Sequence, residues 1–307
     1  MRIILTKVVS IVFKRYTSLK RFGTSEVDGI LDGIVHVFPK LDGTNGSVWL
    51  DSDGQIKAGS RNRELTLEQD NAGFYASVLH DKALVDFLQS HSNMRLYGEF
   101  LKPHNLRTYC DSAWDTFYIF DVYDDNNERF LTYDEYSEML DLFNILYIPR
   151  IAILDNPSED IIMEILKKNT YLIKEGEGIG EGIVLKNYDY RNRYDELRFA
   201  KLISESFHGK GLRKKVSKLK QEPGKEAQIV DTYLTQADVH KEYHKLAING
   251  WDDKMIPQFL ENVYQSFKED YFDEIFQNSE SPVNVRDLRR ALMIQSKFLL
   301  PEVFGKK

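Results

Sequence analysis

The chain has 307 residues, 42% hydrophobic and 29% charged, with a formal net charge of -7 and one cysteine, Cys110. That is enough apolar chain to bury a core without covalent staples, in one large domain or in a large domain plus a smaller one. A lone cysteine excludes an intramolecular disulfide and a cysteine-rich zinc site. No apolar run is long enough to span a bilayer, so no membrane partner is expected. The cysteine usage suits a reducing compartment; the expected location is cytoplasmic, with an organelle or an infected host left open.

The first 25 residues carry six basic side chains and no acid. The start is partly amphipathic but lacks the clean apolar core of a secretory signal. It is therefore read as part of the folded protein, with a targeting segment as the alternative. Residues 34–37 ("IVHV"), 46–50 ("GSVWL") and 55–58 ("QIKA") are β-prone, and "DSDG" at 51–54 is a hairpin turn. This places Lys40 in a loop after the first of these strands. Residues 68–90 have helical spacing, with Phe74, Val78, Leu84, Phe87 and Leu88 on one face and a break near His80. Strands are expected at 94–100 and 116–122. "TYDE" at 132–135 reads as a capping box opening a helix to about 144. A strand at 148–154, a helix from Ser158 to Lys168, and strands at 181–187 and 196–203 complete an α+β domain with antiparallel sheets and flanking helices, spanning 1–207. A basic linker follows at 208–225, in which residues 210–220 ("KGLRKKVSKLK") hold six basic residues and no acid. The smaller C-terminal domain, 226–307, reads as all helical, with "IPQFLENVYQSFKEDYFDEIF" its strongest segment.

Charged residues recur at the ends or middles of the β-prone runs: "KLDGTN" (40–45), "SRNRE" (60–64), "YGEF" (97–100), "FYIFDV" (117–122), "EGIVLK" (181–186) and, more weakly, "FAKLISESF" (199–207). Taken singly, each has an ordinary reading. A lysine after a strand is usually a solvated charge, "SRNRE" suits a surface salt-bridge loop, and Phe120 and Asp121 suit a core aromatic and a strand-end acid. Glu181 and Lys186 are an odd number of residues apart, so a regular strand would put them on opposite faces; a bulge or a strand end would be needed to aim both at one pocket. Lysines gathered in one pocket would lower one another's proton affinity, and a lysine so tuned is a nucleophile.

In order and spacing these segments resemble the covalent nucleotidyltransferases, the polynucleotide ligases and messenger-RNA capping enzymes, over roughly residues 13–207. Within that superfamily the chain looks like the ATP-dependent RNA ligases of the phage duplex-nick-sealing type, with the trypanosome editing ligases as relatives. Asn45 in "KLDGTN", the "FKRYTSL" segment at 13–19 and a helical tail in place of an OB barrel carry that finer likeness. The resemblance implies that Lys40 attacks the α-phosphorus of ATP to form a lysine–AMP phosphoramidate. AMP then passes to an RNA 5′-phosphate, and a neighbouring 3′-OH displaces it. It further implies that Arg61 grips phosphate, Glu99 holds the ribose, Phe120 stacks on adenine, and Lys186 and Lys201 contact the α-phosphate. Glu181 would hold a metal, Mg²⁺ or Mn²⁺, with Asn45 positioning metal-bound water.

One departure is Ile203, which stands where these ligases often carry a second lysine; Arg198 or Lys210 would have to compensate. Phe207 fits the family's spacing. The expected partner is RNA, as a nicked duplex, bound by a monomer, with the basic run at 210–220 facing phosphates and the tail helping to hold RNA. A single-strand or transfer-RNA-repair ligase, a DNA ligase or capping enzyme on the same scaffold, and a decayed RNA-binding homologue without chemistry are the alternatives.

Overall fold

The computed structural model describes residues 12–103, 108–204, 224–247, 250–279 and 281–305. The basic run at 210–220, with Phe207 and Lys210, and most of the linker at 208–225, lie outside the described residues.

Two five-stranded sheets form the α+β part. The first has the order β1 (Lys20–Arg21), β10 (Ala200–Ile203), β9 (Gly182–Lys186), β2 (Ile34–Lys40), β8 (Ala152–Asp155). The second has the order β4 (Ile56–Ser60), β3 (Thr44–Leu50), β5 (Met94–Leu101), β6 (Thr116–Asp124), β7 (Arg129–Phe130). Every pairing is antiparallel except that of β1 with β10.

Helices cover the outer faces. α1 (Phe74–His80), α2 (Lys82–Ser90) and α3 (Tyr133–Asp141) pack on the second sheet, where Val48, Phe74, Phe87, Leu96 and Ile119 share one core. α4 (Glu159–Lys168) packs on the first sheet, joining Val35, Val37, Ile183 and Leu185 through Ile162 and Leu166. A smaller helical bundle follows: α5 (Lys225–Tyr233), α6 (Gln236–Ala247), α7 (Ile256–Asn278), α8 (Val285–Phe298) and α9 (Pro301–Phe304). Its core gathers Val230, Phe259, Val263, Phe267, Leu288 and Leu292. No helix among the described residues is long and apolar enough to cross a membrane.

Several elements form for reasons visible in the chain. Asp51 accepts from the backbone N–H of Asp53 and Gln55 and so closes the β3–β4 hairpin, with Gly54 at φ +73°. Thr132 and Glu135 complete the capping box of α3. The break near His80 is real: Asp81 ends α1 and caps α2 by accepting from Ala83 and Leu84 N–H.

Other boundaries differ from expectation. Lys40 is the last residue of β2 and not in a loop, because the main chain pairs Lys40 with Gly182 across the sheet. The eighth strand begins at Ala152 and not at 148, since Ile148 instead pairs with Ile119 of the second sheet. Residues 196–199 precede the last strand without joining it; there Asn192 accepts from Glu196 N–H and holds a local turn. α1 begins at Phe74, behind a turn in which Asp70 accepts from Asn71, Tyr75 and Ala76 N–H.

Candidate active site

Strand alternation in the first sheet decides which side chains share a face. β2 and β9 pair His36 with Lys186, Phe38 with Val184 and Lys40 with Gly182. β9 and β10 pair Val184 with Lys201 and Gly182 with Ile203. Directly opposed residues point the same way, so Phe38, Lys40, Val184, Lys186, Lys201 and Ile203 turn one way while Val35, Val37, Ile183 and Leu185 turn toward α4. The parity problem of Glu181 resolves here. It lies one residue before β9, where alternation no longer fixes its direction, and its side chain reaches the Lys40 side of the sheet. The next residue, Gly182, lets β9 and β10 approach closely: a Cβ there would stand 2.2 Å from the Leu202 carbonyl oxygen.

The second sheet supplies the facing wall. Asn45 on β3 stands opposite Glu99 on β5, and Glu99 accepts from Gly43 N–H at 2.9 Å. Arg61 follows β4. The β5–β6 pairing slips between Tyr97 and Gly98, so Phe120 is the extra residue of a bulge on β6. All eight residues singled out in the sequence line one cavity between the sheets: Lys40, Asn45, Arg61, Glu99, Phe120, Glu181, Lys186 and Lys201. Ile203 lines it too. Arg198 does not line the cavity; it donates to Glu196 and to the hydroxyl of Thr17, which does line it.

The lysines do not form a mutually repelling cluster. Each has its own carboxylate: Lys40 Nζ lies 2.6 Å from Glu181 Oε2, Lys186 Nζ 2.7 Å from Asp121 Oδ1, and Lys201 Nζ 2.5 Å from Asp270 Oδ1. Burial pushes the Glu181 carboxyl up to about 7; Lys40 opposes the shift and Asp42 adds to it. Lys186 is lowered by burial, with Asp121 opposing, and no neighbouring lysine contributes. Lys186 also donates to the Phe120 carbonyl at 2.7 Å, so the bulge holds both an aromatic ring and an ammonium in place.

Several residues at the site had no role assigned from the sequence. Asp121 is fully buried and accepts from both Lys186 and the Tyr16 hydroxyl. Tyr16 lies edge-on to Phe120, their ring centroids 4.9 Å apart. The helical bundle contributes Lys241 from α6, 2.8 Å from Asp42, and Glu269 and Asp270 from α7. Although burial opposes it, the surrounding carboxylates Asp42, Glu99 and Glu181 raise Lys241 above the ordinary lysine range. Asp42 was visible inside "KLDGTN"; the bundle residues lie 69 to 208 positions from their partners, beyond any local pattern.

Among the described residues, no three acids, histidines or cysteines are grouped to hold a metal. Glu181 and Asn45 offer one carboxylate and one amide in the same cavity. That sparse set suits a Mg²⁺ ion that keeps water and takes the rest of its oxygens from phosphate.

The family described as RNA ligase matches residues 33–203, which include Lys40, Asn45, Arg61, Glu99, Phe120, Glu181, Lys186 and Lys201. None of the curated proteins matches the chain. Among solved structures, the chain is similar to a Naegleria gruberi RNA ligase with PPi, at 21% identity and a TM-score of 0.52, covering 68% of this chain and 63% of that one. It is similar also to a mutant of a Naegleria gruberi RNA ligase with ATP and Mn, at 21% identity and a TM-score of 0.50, covering 64% and 57%. The chain thus spans less than two thirds of the length of these structures, and at this identity the likeness is one of fold.

Proposed function

This chain belongs to the RNA ligase family, and from that membership we propose that it is an ATP-dependent RNA ligase working through a lysine–AMP intermediate. The observation that carries the proposal is the convergence of Lys40, Glu181, Arg61, Glu99, Phe120, Lys186 and Lys201 on one cavity from separate strands and loops of two sheets.

Lys40 is the nucleophile. Its neutral Nζ attacks the α-phosphorus of ATP, the N–P bond forms as the bond to the pyrophosphate oxygen breaks, and the proton shed by the nitrogen leaves to water as pyrophosphate departs. Glu181 holds Lys40 Nζ at 2.6 Å in the ligand-free protein and so fixes the direction of the nucleophile within the cavity. Glu181 and Asn45 would hold Mg²⁺ or Mn²⁺, which when bound neutralises charge on the phosphates. Phe120, fixed by the bulge and by Tyr16, offers a ring face to adenine. Glu99 is placed to accept from ribose hydroxyls. Arg61 and Lys201 lie where they can grip phosphate oxygens, and Lys186 contributes a fixed positive charge from the cavity floor. AMP then moves to an RNA 5′-phosphate, and the adjacent 3′-OH attacks that phosphorus and expels AMP.

A nicked RNA duplex is the proposed substrate, bound by a monomer. The test is incubation with α-labelled ATP and Mg²⁺, followed by nicked duplex RNA, single-stranded RNA or nicked DNA. Label retained by the protein, passed to the 5′ end of the nicked RNA duplex and released as free AMP as that duplex is sealed supports the reading. AMP release with sealing only of single-stranded RNA or nicked DNA would replace the substrate, and no retained label would overturn the activity.

A further inference from the structure

Helix α7 has two faces with different work. Phe259, Val263, Phe267 and Ile275 are buried in the core of the helical bundle. Elsewhere on its surface, Glu269, Asp270, Asp273 and Glu274 fall at i, i+1, i+4 and i+5, which gathers four carboxylates on one side. All four meet cations of the α+β part. Glu269 lies 2.6 Å from Arg15 through Oε1 and 3.1 Å from Arg61 through Oε2. Asp270 lies 2.5 Å from Lys201, Asp273 lies 2.9 Å from Lys20, and Glu274 pairs with Arg21.

Arg61 and Lys201 are the two cations that the proposed function assigns to gripping phosphate. With Glu269 and Asp270 against them, a phosphate arriving there would meet two carboxylates at close range, and like charges so placed repel. The Arg61–Glu269 pair is open to water, with side chains 44% and 21% exposed, whereas Lys201 is 11% exposed beside Asp270 at 27%. An ion pair as exposed as the first is weak, and the second, less exposed, is the firmer of the two. A phosphate brings more negative charge and more acceptor oxygens than a carboxylate, so it is the stronger partner for a guanidinium. The Lys186–Asp121 pair is different, at 3% and 0% exposure, and is sealed against such exchange.

We infer that the acidic face of α7 is a built-in competitor for phosphate: Glu269 and Asp270 occupy Arg61 and Lys201 in the ligand-free protein, and an incoming phosphate group displaces them and loosens α7 from the cavity. The inference rests on the proposed roles of Arg61 and Lys201. It adds that the helical bundle sets the affinity of the site for phosphate.

The test is calorimetric titration of the full chain with inorganic tripolyphosphate, which cannot adenylylate Lys40. The variant Glu269→Gln with Asp270→Asn is expected to bind roughly tenfold more tightly than wild type, from the removal of two competing carboxylates. Asp273→Asn, whose partner Lys20 lies outside the cavity, should stay within about twofold. Unchanged or weaker binding by the double variant overturns the inference. Should that variant not fold, hydrogen exchange on the wild type decides. Amides of α7 exchange faster on saturation with tripolyphosphate if the carboxylates are displaced, and unchanged or slower exchange overturns the inference. A 5′-phosphorylated RNA strand that gains affinity in the double variant, where a 5′-hydroxyl strand does not, assigns the displaced contact to the RNA end. A gain by tripolyphosphate alone assigns it to the triphosphate of ATP. A wild type that forms no lysine–AMP adduct, with the tripolyphosphate gain intact, would remove the proposed function and leave the competitor standing.

Discussion

Lys40 and Glu181, 141 residues apart in the chain, meet as an ion pair with Nζ 2.6 Å from Oε2. The pair closes the gap between the end of β2 and the start of β9, and it puts the proposed nucleophile in contact with the one carboxyl of the site that burial pushes up to about 7.

The titration of Glu181 follows from that contact. Its carboxyl should ionise as pH rises through about 7, well above the ordinary glutamate range, and the charged pair with Lys40 should be complete only above that point. Lys40 is the largest influence opposing the shift, while burial and Asp42 sustain it. Lys40→Ala should therefore move the Glu181 midpoint further up. Carbon-13 NMR of labelled glutamate, with Glu181→Gln identifying the signal, checks both statements. A midpoint near the ordinary glutamate value, or a downward move in Lys40→Ala, would contradict them.

Arg61→Lys keeps the charge but loses the planar fork that can take two oxygens of one phosphate. It should slow single-turnover adduct formation or nick sealing by roughly 10- to 100-fold. Arg61 is 44% exposed, so unfolding by denaturant should move little. A wild-type rate in both steps would take Arg61 out of the phosphate site.

Asp121→Ala leaves Lys186 as a buried ammonium with the Phe120 carbonyl and the rings of Phe38 and Phe199 but no carboxylate. Removing one member of a buried pair typically costs about 3–5 kcal/mol, and urea unfolding should register a loss of that size. The Asp121→Asn variant keeps an acceptor for Lys186 and should cost less. Equal losses from the two variants would show that the lost charge alone sets the cost and that the retained acceptor contributes nothing.

Gly182→Ala should be costly for a different reason. The added methyl would overlap the Leu202 carbonyl across the β9–β10 pairing, standing 2.2 Å from its oxygen. The strands must part, with a loss of about 1–3 kcal/mol or more. Because Glu181 precedes this residue, adenylylation should fall with stability. A crystal structure of the variant with an undisturbed β9–β10 register would contradict this.

The cavity was legible where chemistry and strand alternation coincide. "KLDGTN" and "EGIVLK" could be marked in the sequence, and the register of β2, β9 and β10 then places Lys40, Lys186 and Lys201 on one face. Glu181 could not be placed by alternation, because its direction depends on where β9 begins. Asp121 looked like an ordinary strand-end acid, and only the bulge around Phe120, set by pairing with β5, carries it beneath Lys186. The idea that neighbouring lysines tune one another failed for want of their partners: Asp270 comes from α7, 69 residues beyond Lys201. The acidic face of α7 is plain in "FKEDYFDE", but such a run is usually solvated, and nothing local says that it docks on Arg15, Lys20, Arg21, Arg61 and Lys201.

The central claim is that the Lys40 amine becomes bonded to AMP. Peptide mass mapping after incubation of the full chain with ATP and Mg²⁺, without RNA, tests it most directly. The account predicts one adenylyl group on the peptide that contains Lys40, lost on adding pyrophosphate and absent in Lys40→Ala. An adenylyl group on another lysine, or one that persists in Lys40→Ala, would contradict it.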